Sequence, residues 1–282
     1  MAELLLGKNV ADAMKERVTA RVEACKAKGV EPCLAFIRVG ERPDDLSYQR
    51  GATKRAEAWG IATKEFVLPA EATQDELLAV IAQVNADDSV HGVLMFRPLP
   101  KAISDAAACA ALDPAKDIDG ITEGSLGAVF LDADKGFPPC TAQACIEICD
   151  HYGIDLKGKH VVVIGRSQVI GKPVAMMALR RNATVTICHS RTVNLAEITR
   201  QADVVICATG RAKAYGAENF APGQTVLDVG INFDAEGNMC GDADFDAAEP
   251  IVGAITPVPR GVGSVTTAVL MEHVVTAAER CL

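Results

Sequence analysis

The stretch that most constrains the fold runs from His160 to Pro173 and reads HVVVIGRSQVIGKP. Residues 161–164 form a β-branched apolar run of the kind that builds a buried parallel strand. Gly165 and Gly171 bracket a turn in which backbone can approach a phosphate, and a helix then starts near Pro173 with an N-terminus that favours an anion. The pattern predicts a nucleotide-binding strand, turn and helix. The alternative is a glycine-containing turn that binds nothing.

Three further apolar strands favour the nucleotide-binding interpretation. Residues 183–192 predict a strand that ends at Ser190 and Arg191, where an adenosine ribose lies in a dinucleotide-binding unit. An acidic residue there would hold a ribose 2′-hydroxyl, whereas Arg and Ser favour a 2′-phosphate. Strands predicted within 202–210 and 224–232 also end in Gly or small polar residues, as expected around a cofactor crevice. The alternative role of Arg191 is an ordinary solvated charge.

Before residue 137, segments with strand-like and helix-like apolar spacing alternate. Such alternation predicts right-handed crossovers and a mainly parallel sheet. The fold class is therefore α/β with two domains, the second a Rossmann-type, doubly wound parallel sheet. We predict an N-terminal domain of residues 1–137, completed by a returning C-terminal helix at 265–282, and a nucleotide-binding domain of residues 138–264.

Composition restricts the compartment and the partners. The formal net charge is −9 with no dense basic tract, which argues against a partner that is nucleic acid or an acidic membrane. No apolar run of 18 residues occurs and no leader is evident, so we expect a cytoplasmic protein with no membrane partner. The ten cysteines are scattered through apolar segments. Cys145 and Cys149 have the spacing of one helix face, so we predict core packing and no metal site.

Several motifs, taken in order, carry a resemblance to a known family. They are SYQRGATKRAEAWGI, GVLMFRPLP, PAKDIDGIT, PPCTA, GKHVVVIGRSQVIGKP, ATVTICHSRT, ADVVICATG, VLDVGIN, GDADF and ITPVPRGVGSVTTAVL. Over nearly its whole length the chain resembles the methylenetetrahydrofolate dehydrogenase/cyclohydrolase (FolD) family. The resemblance implies a folate-binding α/β domain, a Rossmann domain for NADP, with NAD also possible, a tetrahydrofolate substrate and a homodimer.

The resemblance also implies site residues. On the cofactor side they are Gly165, Arg166, Ser167, Ile170 and Gly171 for the phosphates, Ser190 and Arg191 for the adenosine end, and Gly210 and Ile231 around the nicotinamide. On the folate side they are the catalytic candidates Tyr48 and Asp119, with Pro259 and Gly261 as further substrate contacts. Asp119 would accept hydrogen bonds from the pterin. Its alternative role is to cap the turn before Gly120.

The chain departs from the family where the cyclohydrolase reaction needs a lysine and a glutamine. With the helix anchored at Gly60, the lysine position falls on Ala52 and the glutamine position on Phe96. The serine that precedes Tyr48 in the family falls on Asp45. Lys54 is a doubtful substitute, because six residues after Tyr48 leave it about 120° around the helix. In the loop PVPRGVG, Arg260 stands where glycine is usual.

These departures leave three functions open. The first is an NADP-dependent methylenetetrahydrofolate dehydrogenase whose cyclohydrolase activity is weak or lost. The second is the fully bifunctional enzyme, with Lys54 or a basic neighbour recruited for hydrolysis. The third is a catalytically silent folate- or nucleotide-binding paralogue, which the complete set of cofactor motifs argues against.

Overall fold

The computed structural model describes residues 1–282. Along the chain the elements are β1 (Glu3–Leu4), α1 (Gly7–Ala27), β2 (Cys33–Val39), α2 (Pro43–Ala58), β3 (Ala62–Leu68), α3 (Gln74–Ala86), β4 (Gly92–Met95), α4 (Asp105–Ala111), α5 (Glu123–Leu131), α6 (Cys140–His151), β5 (His160–Ile164), α7 (Gly171–Arg180), β6 (Thr184–Cys188), α8 (Leu195–Arg200), β7 (Val204–Cys207), β8 (Thr225–Asp228), β9 (Asn232–Phe233), β10 (Met239–Cys240), α9 (Phe245–Ala248), β11 (Ala254–Ile255) and α10 (Val262–Glu279).

The chain divides into two compact units. One contains Met1–Asp12 and Thr141–Thr266, and we call it the six-stranded unit. The other contains Ala13–Cys140 and Thr267–Leu282, and we call it the three-stranded unit. None of the helices is both long and apolar enough to span a membrane.

The six-stranded unit is built on one parallel sheet with the strand order β1-β11-β8-β7-β5-β6. Residues 161–164 of β5 are fully buried, because neighbouring strands flank β5 and the sheet is covered on its faces. The apolar core on one face includes Val162, Val205, Val226 and Ile255. This arrangement is the predicted Rossmann-type parallel sheet.

The three-stranded unit has a parallel sheet in the order β3-β2-β4. All seven residues of β2 are buried, because β2 is the central strand and both faces of the sheet are covered. Ala35, Ile37 and Val39 face a core to which α3 contributes Leu77 and Ile81. Thr73 caps α3 in a reciprocal box with Glu76, as the sequence pattern predicts.

The predicted α/β class with two parallel sheets is confirmed. The pattern did not indicate the two-residue strands β1 and β11 or the helix α5. Strands as short as β1 exist through their pairing partners, here Glu3 with Ala254, and leave no periodicity to detect. Because of this pairing, residues 1–12 belong to the six-stranded unit, whereas the sequence assigned them to the N-terminal domain.

Candidate functional site

The turn between β5 and α7 is tightly folded against its own backbone. A Cβ atom on Gly171 would lie 2.3 Å from the carbonyl oxygen of Gly165, so only glycine fits. The Oγ of Ser167 accepts hydrogen bonds from the backbone N–H groups of Ile170 and Gly171, at 3.1 and 3.4 Å. The side chains of Arg166 and Ser167 are exposed. The turn therefore places the exposed polar side chains of Arg166 and Ser167 just before the start of a ten-residue helix.

Ser190 and Arg191 lie just beyond the carboxyl end of β6, and both are exposed. The backbone N–H of Arg191 donates to Nδ1 of His189 at 3.2 Å, which orders the turn. The Arg191 guanidinium itself has no hydrogen-bond or ion-pair partner in the chain. A free guanidinium at this strand end is suited to bind a phosphate through two donors.

One buried carboxylate, Asp242, organises the region of Gly210 and Ile231. It accepts hydrogen bonds from the backbone N–H groups of Thr209, Gly210 (3.1 Å) and Arg211 (2.9 Å). It also accepts from the Nδ2 of Asn232 at 3.0 Å. These bonds connect the loop after β7 and Asn232 of β9 to the segment that follows β10.

The open face of this region lies at Gly210 and Ile231. Gly210 has a φ of 66°, and no atom lies within 4 Å of where its Cβ would be. Ile231 is 61% exposed. The connected loops therefore leave an accessible apolar and backbone surface for a ligand.

A second buried carboxylate, Asp228, contacts the backbone of Asp242. It accepts hydrogen bonds from the backbone N–H groups of Gly230, Asp242 and Ala243 at 2.8–3.0 Å. Burial is the main cause that raises the pKa of Asp228 to about 7, and the nearby charge of Asp242 adds to it, although the three N–H donors oppose the shift. Asp228 holds the start of the segment that carries Asp242.

The loop PVPRGVG is held by close backbone packing within the same unit. A Cβ on Gly261 would lie 2.5 Å from the carbonyl oxygen of Pro257, so this position requires glycine. Arg260 has a φ of 87°, a conformation that non-glycine residues rarely adopt, and its carbonyl accepts from the N–H of Gly7 at 2.9 Å. Pro259 and the Arg260 side chain are exposed.

Tyr48 projects from α2 in the three-stranded unit and is 39% exposed, so a ligand can reach it. Its ring lies edge-on to that of Phe96, with centroids 6.2 Å apart. Phe96 in turn stacks on Phe36 of β2 at 6.1 Å. Burial is the first cause that raises the pKa of the Tyr48 phenol, and the charge of Asp119 is the second, so the phenol stays protonated at neutral pH.

The lysine and glutamine positions are occupied by buried apolar side chains. Ala52 lies one helical turn after Tyr48 and is fully buried. Phe96 follows β4 and is 8% exposed. No amine or amide therefore lies beside Tyr48 at these two positions.

Lys54 lies on a different side of α2. It lines a surface cavity of about 300 Å³ together with Arg38, Gln49 and Glu65. Glu65 belongs to β3, whereas Phe96 follows β4, and these two strands flank β2 on opposite sides. Lys54 is therefore directed away from Tyr48, as the helical spacing predicts.

Asp119 lies in the loop after α4 and is partly accessible. Burial raises the pKa of its carboxyl to about 7, and the charge of Asp117 acts in the same direction. A hydrogen bond from the Cys140 thiol and the charge of Arg97 oppose that rise. The group is therefore balanced between its acid and its carboxylate near neutral pH, which is typical of functional sites.

Two buried side chains support the loop of Asp119. The Sγ of Cys140 lies 3.2 Å from the carbonyl oxygen of Ile118, and Nδ1 of His273 lies 2.8 Å from the same oxygen. Burial lowers the pKa of His273 to about 4, so its ring is neutral and its Nδ1 donates to Ile118 as N–H. The backbone that presents Asp119 is thereby fixed.

Asp117 has a structural role in the same loop. Its carboxylate accepts from the backbone N–H groups of Ile121 and Thr122, at 3.0 and 2.8 Å. The neighbouring Lys116 instead donates to the carbonyls of Val84 and Asp87 at the end of α3. Asp117 and Lys116 therefore do not pair with each other.

Sequence reasoning did not identify the organising role of Asp242 or a contact between Arg42 and Asp45. The motif GDADF contains Asp242, but its five donors come from residues 209–211 and from Asn232, which only the fold brings together. The sequence pattern predicts a loop over residues 41–45 and a helix from Leu46, whereas α2 begins at Pro43 and places Asp45 beside Arg42. No signal in the sequence indicated which of the two carboxylates faces Arg42.

The six-stranded parallel sheet and the second, three-stranded unit define a class, the two-unit α/β proteins with a Rossmann-type sheet. Residues 5–119 match the family profile described as tetrahydrofolate dehydrogenase/cyclohydrolase, catalytic domain, and residues 139–282 match the NAD(P)-binding domain of the same family. The chain therefore belongs to the tetrahydrofolate dehydrogenase/cyclohydrolase family. It is an enzyme of that family, which confirms the resemblance and leaves the silent paralogue without support.

Individual relatives agree with this assignment. The chain is 51% identical to the "Bifunctional protein FolD" of Carboxydothermus hydrogenoformans, over 99% of this chain and 98% of the relative. The crystal structure of the bifunctional FolD enzyme from Campylobacter jejuni superposes with a TM-score of 0.97 at 39% identity and covers 100% of both chains. The Trypanosoma brucei FolD enzyme, solved with NADP cofactor and inhibitor, gives 0.92 at 34% identity over 99% of this chain and 98% of that one.

Proposed function

We propose that this enzyme oxidises 5,10-methylenetetrahydrofolate to 5,10-methenyltetrahydrofolate with NADP. The observation that carries the proposal is the free Arg191 guanidinium beyond β6, in the same sheet as the glycine turn at Gly165 and Gly171. Together they offer donors for a 2′-phosphate and for a pyrophosphate. The match to an NAD(P)-binding profile over residues 139–282 supports it.

The cofactor, when bound, accepts the hydride that leaves the methylene bridge of the folate. The protein contributes binding and orientation, which dominate the rate of a transfer between two bound molecules. We infer that Asp119 accepts hydrogen bonds from the pterin and that Tyr48 borders the reacting carbon. Gly210 and Ile231 would contact the nicotinamide, and Pro259 and Gly261 the substrate.

We further propose that the enzyme hydrolyses the methenyl product, as a second activity. The name "bifunctional" carried by a relative 51% identical supports this alternative over a weak or lost cyclohydrolase. Ala52, Phe96 and the direction of Lys54 mean that any hydrolysis proceeds without a lysine beside Tyr48. Weak hydrolysis therefore remains the competing outcome.

One purified sample tests both activities. NADPH formation from methylenetetrahydrofolate is followed at 340 nm, and loss of methenyltetrahydrofolate is followed by its own absorbance against the spontaneous rate. We expect both to be enzyme-dependent. Absence of NADPH formation would contradict the main proposal, and methenyl loss at the spontaneous rate would leave a monofunctional dehydrogenase.

The roles of the two domains, the oligomeric state and the cellular compartment are further proposals. We propose that residues 1–137 with 265–282 bind the folate and that 138–264 bind NADP, in a cytoplasmic homodimer. The family resemblance supports these assignments, and the matches to a catalytic and an NAD(P)-binding domain support the two domain roles. Light scattering on the purified protein and fractionation of cells would test the last two.

A further inference from the structure

Arg42 joins the beginning of α2 to the loop that follows β4. Its Nε and one of its terminal nitrogens donate to the two carboxylate oxygens of Asp45, at 2.9 and 2.6 Å. The same guanidinium donates to the carbonyls of Arg97 (3.1 Å) and Pro98 (3.2 Å). One side chain therefore makes four charge-assisted hydrogen bonds, two to Asp45 and two to a segment that begins 55 residues after Arg42.

The carboxylate partner is buried, which makes the contact more than a surface ion pair. Asp45 is 7% exposed, whereas the Arg42 side chain is 42% exposed. A bidentate pair with a desolvated carboxylate has fixed geometry, in contrast to an exposed ion pair that contributes little. A serine, the residue the family resemblance places at position 45, could not accept two parallel bonds from the guanidinium.

The two joined segments carry the aromatic pair of the site. Tyr48 follows Asp45 by three residues on α2, and Phe96 directly precedes Arg97. Arg97 is itself held by a bidentate contact to Asp105 at the start of α4, with two of the distances at 2.9 and 3.0 Å. The loop is thus held by Asp105 on one side and by Arg42, at the start of the helix bearing Tyr48, on the other.

We propose that Arg42 is a positioning residue for the dehydrogenase reaction, which sets the spacing between Tyr48 and Phe96 and thereby the folate-binding surface of α2. The inference rests on the proposed function. Arg42 acts through the carbonyls of Arg97 and Pro98 and through Asp45, and it does not itself touch the substrate.

The test compares Arg42→Ala and Arg42→Lys with the control Arg17→Ala. Arg17 also makes a bidentate contact with a carboxylate, Glu272, in the same unit. For Arg42→Ala we expect the folate KM to rise about tenfold, a loss of ~1.4 kcal/mol in binding, while the NADP KM changes less than twofold. Arg42→Lys keeps the charge but loses the fork, so its folate KM should be intermediate. Arg17→Ala should leave both KM values unchanged.

A second variant keeps the test decisive if Arg42→Ala folds poorly. Asp45→Asn retains the size and one acceptor, so it should fold and still raise the folate KM several-fold. Calorimetric binding of tetrahydrofolate gives a readout that is independent of turnover. A folded Arg42→Ala or Asp45→Asn protein with the parent's folate KM and tetrahydrofolate affinity would overturn the inference. A parent that neither turns over nor binds tetrahydrofolate would refute the proposed function and this inference with it.

Discussion

The rings of Tyr48 and Phe96 meet edge to face, with centroids 6.2 Å apart and planes inclined at 79°. Offset and edge-to-face aromatic pairs are favourable beyond the apolar area they bury. Phe96 stands where the family resemblance puts a glutamine, and Ala52 stands where it puts the lysine partner of that glutamine. The tyrosine is therefore supported by an apolar neighbour, and its phenol is the one polar group of the pair.

Restoring the missing polar pair should increase hydrolysis. We expect Ala52→Lys with Phe96→Gln to raise the rate of methenyltetrahydrofolate hydrolysis above the parent, because a positioned acid or base usually contributes about 10²- to 10⁴-fold. Both parent side chains are buried, so we also expect a loss of about 2–5 kcal/mol in the free energy of unfolding. Hydrolysis assays and thermal unfolding measure the two effects.

The single variants are the controls for that experiment. Ala52→Lys alone should add little, since the introduced amine would lie against the Phe96 ring rather than an amide. Equal hydrolysis by the parent and by a folded double variant would argue that the reaction uses neither position. Loss of parental hydrolysis in Lys54→Ala, with NADPH formation intact, would mean that Lys54 reaches the substrate despite its direction.

Arg191 should determine the preference for NADP. Arg191→Ala is expected to raise the NADP KM by about 10- to 100-fold and to leave turnover with NAD nearly unchanged, because a charge-assisted bond to a phosphate contributes about 1.5–3 kcal/mol. Lys157→Ala, another exposed cation of the same unit, is the control. Equal losses with NADP and NAD would assign Arg191 a structural role instead.

Asp119 should make folate binding depend on pH. Its folded pKa of about 7 lies above the ordinary value, so the carboxylate that accepts pterin donors becomes populated only as the pH rises through 7. We expect the folate KM to fall between pH 6 and pH 8. Asp119→Asn should weaken folate binding and abolish this pH dependence while NADP affinity is retained. A parental folate KM that does not vary over this range would reject the assignment.

The same shift has a consequence for stability, with a definite sign. Between the ordinary carboxyl pKa and about 7, the folded protein binds more protons at Asp119 than the unfolded chain does. This group therefore makes its largest contribution to stability at the acidic end of that window and loses it as the pH rises through 7. The thermal midpoint of Asp119→Asn should vary less with pH than that of the parent.

The bond between Asn232 and Asp242 should position the nicotinamide side of the cofactor site. Asn232→Ala removes one hydrogen bond between the two loops and leaves the four bonds from residues 209–211 in place. We expect a slower dehydrogenase kcat and a modest rise in the NADP KM, with the folate KM unchanged. Lys213→Ala, which breaks the ion pair between the exposed Lys213 and Asp234 in the same region, is the control. Unaltered kinetics in Asn232→Ala would show that the loops hold their positions without this bond.

The sequence by itself determined the sheet that binds nucleotide. The run at residues 161–164 is buried on both faces, and Gly171 fits a turn that no larger side chain could enter. Such constraints are local, since they follow from the spacing of apolar residues along a short segment and from the size of one side chain. Helix periodicity likewise placed Lys54 away from Tyr48 and Ala52 beneath it, because the angle between residues on one helix is fixed by the backbone.

Only the tertiary structure decided which charges meet. Arg42 donates to Asp45 and to two carbonyls after β4, and Asp242 accepts from the loop after β7 and from Asn232 of β9. The raised pKa of Asp119 likewise comes from burial and from the charge of Asp117. Hydrogen bonds and pKa shifts depend on distances of a few ångströms between segments far apart in the chain. Those distances are set by packing, which the local pattern of residues does not encode.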